Sequence, residues 1–535
     1  MNRGLSLKMF KISCISCRRF LRFSGPKVLL GAAVCFCLSA CMVGPDFHPP
    51  ATKMPHKYLA TSGGQKTVKP VGNKPVIDPG AWWQGLEDKE LDSLIDRAVH
   101  SNLTIEMALD RMQEAREAEC VVLGQALPAS EFSAGGGGGT GSDTTTGRIS
   151  EPLRSGIDTQ GLKEVTFGYG FDAGWELDIF GKYRRAYQAA KYDTKAALDA
   201  RNAVLISVIA DVARSYVDMR ALQTKLAVLE NNIKVARDYY NFTNTRYQLG
   251  ITNELDVALA KRELASLQAQ KMPLVSQIQA ANYVIAVLLG EYPENLAVEL
   301  KVPGMIPALP TKIDVGIPLN LLRRRPDIRQ AENELGAATA RIGVATAELF
   351  PQLVMTGAAG YQNQGFGISP NLTTSIWSLG PSISAPVLDF GTLDALVEIA
   401  DYRTRELLAN YKQTVLNAVM QVDTAVSTYN AEQDQLLNLE TALVASRASV
   451  RLASQRYNRG LIDALNVIDA ERQQYTLEEQ YVSATQVAAE QFIALYRALG
   501  GGWEKYQCFP PIRQPRPAIL AAFEDVLNRD QSIQW

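Results

Sequence analysis

The pentapeptide Arg246-Tyr247-Gln248-Leu249-Gly250 returns 210 positions later as Arg456-Tyr457-Asn458-Arg459-Gly460, and its surroundings return with it. Leu255, Val257, Ala260, Arg262 and Leu267 recur as Leu465, Val467, Ala470, Arg472 and Leu477. The same offset of 210 carries Phe180-Gly181 onto Phe390-Gly391 and Leu289-Gly290 onto Leu499-Gly500, with no gap between these landmarks. Upstream the offset becomes 223, matching Ala115 and Pro128 to Ala338 and Pro351, so the first copy carries thirteen extra residues there. The chain is a tandem duplication, and each half must be one structural unit that recurs.

Between Gly181 and Gly250, and again between Gly391 and Gly460, lie 68 residues free of proline and glycine. At ~1.5 Å per residue each stretch makes a helix about 100 Å long. A heptad stripe through Leu205, Val208, Val212, Ser215, Met219, Leu222, Leu226, Leu229, Ile233, Ala236 and Tyr240 gives the first helix a coiled-coil face. Val415, Val419, Val422, Val426, Tyr429, Leu436, Leu443 and Val450 keep that frame in the second, interrupted by Gln433, Glu440 and Arg447. The helices that return after Gly250 and Gly460 are the natural partners of these faces.

Ahead of each long helix the periodicity switches to two. Val165, Phe167, Tyr169, Phe171, Ala173, Trp175 and Leu177 alternate with Thr166, Gly168, Gly170, Asp172, Gly174, Glu176 and Asp178. Trp377, Leu379, Ile383, Ala385 and Val387 alternate likewise with Ser378, Gly380, Ser382 and Ser384. One face is apolar and the other polar or glycine, as a lipid-facing barrel strand with a wet interior requires; a soluble sandwich strand alternates in the same way. Weaker strands are expected near 128–139 and 351–361, giving four per chain. Four strands cannot close a membrane barrel, which needs at least about eight, so several chains must contribute.

The N-terminus reads as an address. Arg18, Arg19, Arg22 and Lys27 lead into the apolar run Val28 to Ala40, which at ~1.5 Å per residue is roughly 20 Å long, too short to span ~30 Å of hydrocarbon. This is a signal-peptide pattern, and Leu38-Ser39-Ala40-Cys41 looks like a lipoprotein cleavage site that leaves Cys41 lipidated. Met42 permits sorting to the outer membrane. Beyond Cys41 the mature chain keeps only Cys120 and Cys508, either paired or simply buried thiols. With 54 basic and 56 acidic residues and no basic block, nucleic acid is not a partner. The three histidines precede the repeats, and no Walker loop, nucleophile elbow or metal spacing occurs. Gly136, Gly138 and Gly141 fit a dinucleotide-loop spacing but precede Ser142-Asp143-Thr144 instead of a helix, so neither enzyme activity nor a cofactor is expected.

The landmarks together resemble one family, the TolC-like outer-membrane factors and specifically the NodT-type efflux lipoproteins. Trp82-Trp83 with Leu86, Leu91, Leu94 and Ile95 resembles the family's opening helix, and Leu321-Leu322-Arg323-Arg324-Arg325-Pro326-Asp327-Ile328 the start of its second repeat. Trp175-Glu176-Leu177-Asp178-Ile179-Phe180-Gly181 is similar to its strand-to-helix crossing, and the two Arg-Tyr-x-x-Gly turns to its periplasmic tips. The resemblance implies a mixed α and β membrane protein: a homotrimer with four strands per chain in one transmembrane β-barrel, continued into a periplasmic α-helical coiled-coil barrel. The expected layout is a signal peptide (1–40), a lipidated extended segment (41–80) and a first repeat (81–300) with strands near 127–140 and 164–178 and helices near 182–249 and 254–289. A linker (301–318) leads to a second repeat (319–502) with strands near 351–363 and 375–388 and helices near 392–459 and 464–499, followed by a tail (503–535).

The implied function is the outer-membrane exit duct of a tripartite efflux pump for drugs, metals or other toxic compounds. Its partners would be a periplasmic adaptor, an inner-membrane transporter of the resistance-nodulation-division type, and outer-membrane lipid. Arg246, Tyr247, Gly250, Leu255, Arg456, Gly460 and Leu465 would form the adaptor-docking tips. Asp469 and Asn466, one helical turn apart, would line the periplasmic entrance, and Tyr457 would help hold it shut. Plain alternatives stay open: a solvated Asp469, a Tyr457 that only packs, and arginines that cap helix carbonyls. A duct for polypeptide secretion and a lipid-anchored coiled-coil scaffold without a pore are the competing functions.

Overall fold

The computed structural model of the chain describes residues 42–51, 78–140, 163–300, 302–309, 321–366 and 369–506. These divide into two compact units, one within Met1–Gly44, Ala126–Arg185 and Gly343–Leu393, the other within Pro45–Gln125, Ala186–Ile342 and Asp394–Trp535. Cys41 and Cys508 lie outside the described residues.

The first unit is an antiparallel sheet of β1 (Ala129–Thr140), β2 (Lys163–Leu177), β3 (Gln352–Phe366) and β4 (Ser369–Ser384), in the order β1-β2-β3-β4. The fourth strand begins and ends earlier than the alternation near 375–388 suggests. Phe132 pairs with Phe171, Tyr169 with Tyr361 and Ala359 with Trp377. Directly paired residues share a face, so this register gathers Phe132, Phe167, Tyr169, Phe171, Trp175, Tyr361, Trp377, Leu379 and Ile383 on one side, all exposed. Glu131, Asp172, Glu176, Ser378 and Ser382 take the other. A soluble sheet would bury its aromatic face; this one leaves it open. Among the described residues β1 and β4 each have one edge without a partner strand, an arrangement that lipid does not tolerate.

The crossing out of β2 explains its motif. The Asp178 carboxylate accepts from the backbone N–H groups of Tyr183 (3.2 Å) and Arg184 (3.0 Å), satisfying donors at a helix start. Phe180 stacks on Phe350 with centroids 4.6 Å apart. At Gly181 φ is +83°, and a Cβ there would stand 2.7 Å from Cγ of Met42. Arg185 donates to the carbonyls of Val43 and Gly44, both at 2.9 Å. The residues that follow Cys41 are therefore clasped at the base of the sheet.

Two helices of 67 residues, α3 (Lys182–Gln248) and α8 (Thr392–Asn458), are followed by returning helices of 35 residues, α4 (Glu254–Leu288) and α9 (Ala464–Ala498). The remaining α-helices among the described residues are α1 (Lys89–Ser101), α2 (Leu103–Gln125), the short α5 (Pro293–Glu299) and α6 (Leu321–Arg324), and α7 (Pro326–Ala347). No helix among the described residues is long and apolar enough to cross a membrane. The core of the second unit gathers Trp82, Trp83, Leu91, Leu94 and Ile95 against Leu205, Ile209, Val212 and Phe492. The tail expected from residue 503 starts inside this core. Trp503 is buried and donates its indole N–H to the carbonyl of Arg324 (3.1 Å), while Tyr506 stacks on Trp83. Two large aromatic side chains with polar tips find both burial and a partner there.

The duplication repeats contacts as well as elements. At the end of α4 the Asn102 amide donates to Leu288 O (2.7 Å). At the end of α9 the Arg325 guanidinium donates to Ala498 O (2.8 Å), 210 positions on. The same carbonyl is satisfied in each copy by a different side chain.

Candidate functional site: the paired helical tips

Both long helices end in one turn geometry. Ile251 N–H donates to Arg246 O (2.8 Å) and Gly250 N–H to Tyr247 O (2.9 Å); Leu461 donates to Arg456 O (3.0 Å) and Gly460 to Tyr457 O (2.9 Å). Gly250 and Gly460 both have φ +71°, the left-handed position that closes this helix-ending motif. The sequence identity of the two turns is thus a backbone requirement.

The turns then diverge. In the first, the Asn253 side chain accepts from Asp256 N–H (2.9 Å), capping α4, and Thr252 donates to the Asp256 carboxylate. In the second, Asp463 occupies the cap position but its side chain makes no capping bond, and Ile462 stands where the first turn has Thr252. Asn466 replaces Asp256 and is exposed.

Tyr457 is buried with Val467 and packs against Tyr239, Ala453 and Ile462. Its ring lies 6.0 Å from that of Tyr239 and 6.4 Å from that of Phe242, and the Arg246 guanidinium sits 5.0 Å from its centroid. Burial raises the Tyr239 hydroxyl above its ordinary range. The two tips of one chain are thereby joined by an aromatic cluster with a cation on its face, a contact that gains strength as it loses water. Tyr239 and Phe242 escape notice as site residues in sequence because they flank the heptad position Tyr240 and belong to no motif.

Asp469 is exposed and pairs with Arg472 at 2.7 Å, one turn further along α9. Both side chains are more than half exposed, so the pair contributes little stability. Tyr247, Leu249, Ile251 and Leu255 on the first tip, and Leu461 and Leu465 on the second, present apolar surface to solvent. Arg456 is exposed on the second tip, whereas Arg246 is half-buried over its two rings. Sequence alone also misses Glu471, four residues beyond Val467 and therefore on the same face of α9. Burial, then the nearby Glu263 carboxylate, raise its pKa to about 7.

The family model described as outer membrane efflux protein matches residues 94–291 and 317–501. Nodulation protein T of Rhizobium leguminosarum bv. viciae is 32% identical over 503 residues, covering 92% of this chain and 96% of that protein. The cation efflux system protein CusC of Escherichia coli (strain K12) is 26% identical over 477 residues, covering 89% and 100%. The solved outer-membrane channel OprN superposes with a TM-score of 0.76 at 32% identity, over 87% of this chain and 100% of that one. Repeat, sheet, tips and comparisons agree: the chain belongs to the outer membrane efflux protein family, whose members are channels and not enzymes, set in the outer membrane and reaching into the periplasm.

Proposed function

We propose that three copies of this chain, anchored by lipid on Cys41, form a passive exit duct for small molecules. A transporter of the resistance-nodulation-division type delivers them through a periplasmic adaptor, and the transporter sets whether drugs, metals or other compounds pass. The supporting observation is a broken equivalence between the repeats. Within one chain α9 covers α3: Gln486 donates to Asp218 (3.0 Å), Asn232 to Glu478 (3.3 Å) and Arg497 to Ser207 (3.3 Å). The duplication makes α4 the counterpart of α9 and α8 the counterpart of α3, yet these surfaces lie bare. Met272 on α4 is 69% exposed where Val482 on α9 is 6% exposed, and Leu416 on α8 is 65% exposed where Ile206 on α3 is 7% exposed. Tyr283 against Ile493 and Met420 against Ala210 repeat the pattern. A neighbouring copy that lays its α4 on this α8 supplies the cover, and a head-to-tail contact of this kind closes into a ring. The same ring gives the open edges of β1 and β4 their partners, three four-stranded sheets making a twelve-stranded barrel.

At the far end of the tube Asp469 and Asn466 line the entrance. Three copies of Asp469 form a negative ring, softened by Arg472, that favours cations. Tyr457 holds the entrance packed through Tyr239 and Arg246. The adaptor docks on Arg246, Tyr247, Gly250 and Leu255 of one tip and Arg456, Gly460 and Leu465 of the other, covering their exposed leucines.

Single-channel conductance of the purified lipoprotein in planar bilayers tests the duct. A stable stepwise conductance is expected, and a protein that inserts without conducting contradicts it. Docking is tested separately with Leu255→Asp and Leu465→Asp. A buried leucine is worth ~1.5–3 kcal/mol, so each change is expected to weaken adaptor binding roughly ten- to hundredfold, with the wild-type conductance retained. Unchanged affinity removes the leucines from the interface.

A further inference from the structure

The duplication carries strand register as well as elements. In the first repeat Ala129 of β1 stands opposite Gly174 of β2, and in the second Gln352 of β3 stands opposite Ser384 of β4. Gln352 lies 223 positions after Ala129, and Ser384 lies 210 after Gly174, so the two offsets read from sequence turn one pairing into the other. They also turn the bond from Asn102 to Leu288 O into the bond from Arg325 to Ala498 O.

Two contacts that join the repeats have no counterpart within the described residues. β2 pairs with β3, Trp175 opposite Met355 and Ala173 opposite Gly357, and Phe180 stacks on Phe350. The offsets turn β2 into β4 and β3 into β1, which lie at opposite edges of the sheet. They turn Phe350 into Leu127 and Phe180 into Phe390, which is 92% exposed with φ +52°. β4 stops at Ser384, three residues short of Val387, the counterpart of the Leu177 that ends β2. Ala385 and Val387 keep the alternation of β4 and are exposed.

We infer that β4 of one copy pairs antiparallel with β1 of the next in one register, Ala385 opposite Phe132 of the partner subunit and Ile383 opposite the partner's Ala134, and that Phe390 seats on the partner's Leu127. This rests on the reading of the chain as one of several copies around a duct, and it specifies the seam between them. The occupant is a second copy because four strands cannot close on themselves, and because the contact each edge lacks is the one its counterpart makes with the other repeat. Face parity agrees. Within the chain Phe132 pairs with Phe171 and Ile383 with Leu353, so both lie on the aromatic side, and the seam continues that side from copy to copy. A slip of one residue would turn Phe132 against the polar side. Backbone groups point alternately to the two sides of a strand. A seam that engages Ala385 and Val387 therefore leaves Pro386 facing the other way, where β3 reaches no further than Gln352 and no donor is needed. In the assembled protein β4 runs on to Val387, and the second crossing gains from a neighbour the cover that the first finds inside the chain.

The test is disulfide formation by the intact lipoprotein in phospholipid vesicles, on a background of Cys120→Ser and Cys508→Ser. Residues directly opposite in an antiparallel pair have Cα atoms ~4.5–5.5 Å apart, within reach of a disulfide. Diagonal neighbours stand ~7–8 Å apart, beyond it. Phe132→Cys with Ala385→Cys is expected to form covalent dimers and trimers about tenfold faster than Phe132→Cys with Ile383→Cys or with Val387→Cys. Faster bridging in either slipped pair, or no bridging in a protein that still weighs as three copies, overturns the register and leaves the duct standing. Dimers formed by Ala385→Cys alone would place two β4 edges together and overturn it as well. A protein that weighs as one copy is a failure of the duct itself, which separates the two readings. For the aromatic contact, Phe390→Ala is expected to speed separation of the copies in mild detergent about tenfold. Leu127→Ala should add little on top, since both remove one contact; two full, additive effects overturn the pairing of Phe390 with the partner's Leu127.

Discussion

The two repeats share backbone and differ in what completes them. The end of α4 is closed by Asn102 and the end of α9 by Arg325; the first tip is capped by Asn253 and the second has an Asp463 that caps nothing through its side chain. At the strand-to-helix crossings, Met42 fills the space beside Gly181, while nothing lies within 4 Å of a Cβ placed on Gly391. Phe180 stacks on Phe350, whereas its counterpart Phe390 is almost wholly exposed with φ +52°. Copy one is finished inside the chain at positions where copy two is left open. Duplication preserved the turns that geometry demands and released the side chains for different work.

The largest expected difference between the copies is at the helix junctions. Arg325 is buried, bonded to Ala498 O, Asp327 and Gln421, so Arg325→Ala strands a buried carbonyl, while the Asp327 side chain, 39% exposed, stays solvated. Losing the charge-assisted bond to the carbonyl costs about 1.5–3 kcal/mol, and the emptied guanidinium site adds to it. Asn102 also caps α2 through Thr104 and Ile105 N–H, and Asn102→Ala loses a neutral cap worth about 0.5–2 kcal/mol together with one carbonyl bond. Thermal unfolding of the helical signal by circular dichroism should place Arg325→Ala well below Asn102→Ala, and the reverse order breaks the proposed equivalence.

The crossings come next. Gly181→Ala places a Cβ in left-handed backbone and against Met42. Left-handed strain costs roughly 1–2 kcal/mol and overpacking about 1–3 kcal/mol. Gly391→Ala carries the first cost alone, since its surroundings are open within the chain. Protease sensitivity of the segment after Cys41 should therefore rise in Gly181→Ala and not in Gly391→Ala. If both respond alike, a neighbouring copy fills the space beside Gly391, which sharpens the comparison instead of ending it.

The tips give the smallest effect. Asn253→Ala should cost about 1 kcal/mol of local stability, read as faster amide exchange in the first turn of α4. Asp463→Ala removes no capping bond, and exchange in the first turn of α9 should change by less than about twofold on the same grounds.

Much of this was legible in the sequence because period and register are backbone matters. The proline- and glycine-free stretches of 68 residues became helices of 67, and the returning helices end where Leu289-Gly290 and Leu499-Gly500 demand. Strand parity predicted the aromatic face through Phe167, Phe171 and Trp175. The alternation places the fourth strand late because Ser369 to Thr374 carry none, and pairing with β3 supplies what the pattern lacks. No local pattern ties Trp503 and Tyr506 to the second repeat, because their packing on Arg324 and Trp83 joins residues far apart in sequence. At the tips, glycine and arginine stood out as motif, while Glu471 did not, because a charge on a coiled-coil seam looks like any other surface charge until the facing helix is known.

In the proposed duct each copy of the chain is completed by its neighbours. Native mass spectrometry of the lipoprotein, extracted in mild detergent and titrated with increasing collision energy, measures this directly. Three copies that separate only at energies that also unfold the chain are the expected result. A single copy of the chain, stable in the same detergent with its α4 and α8 faces still bare, contradicts it.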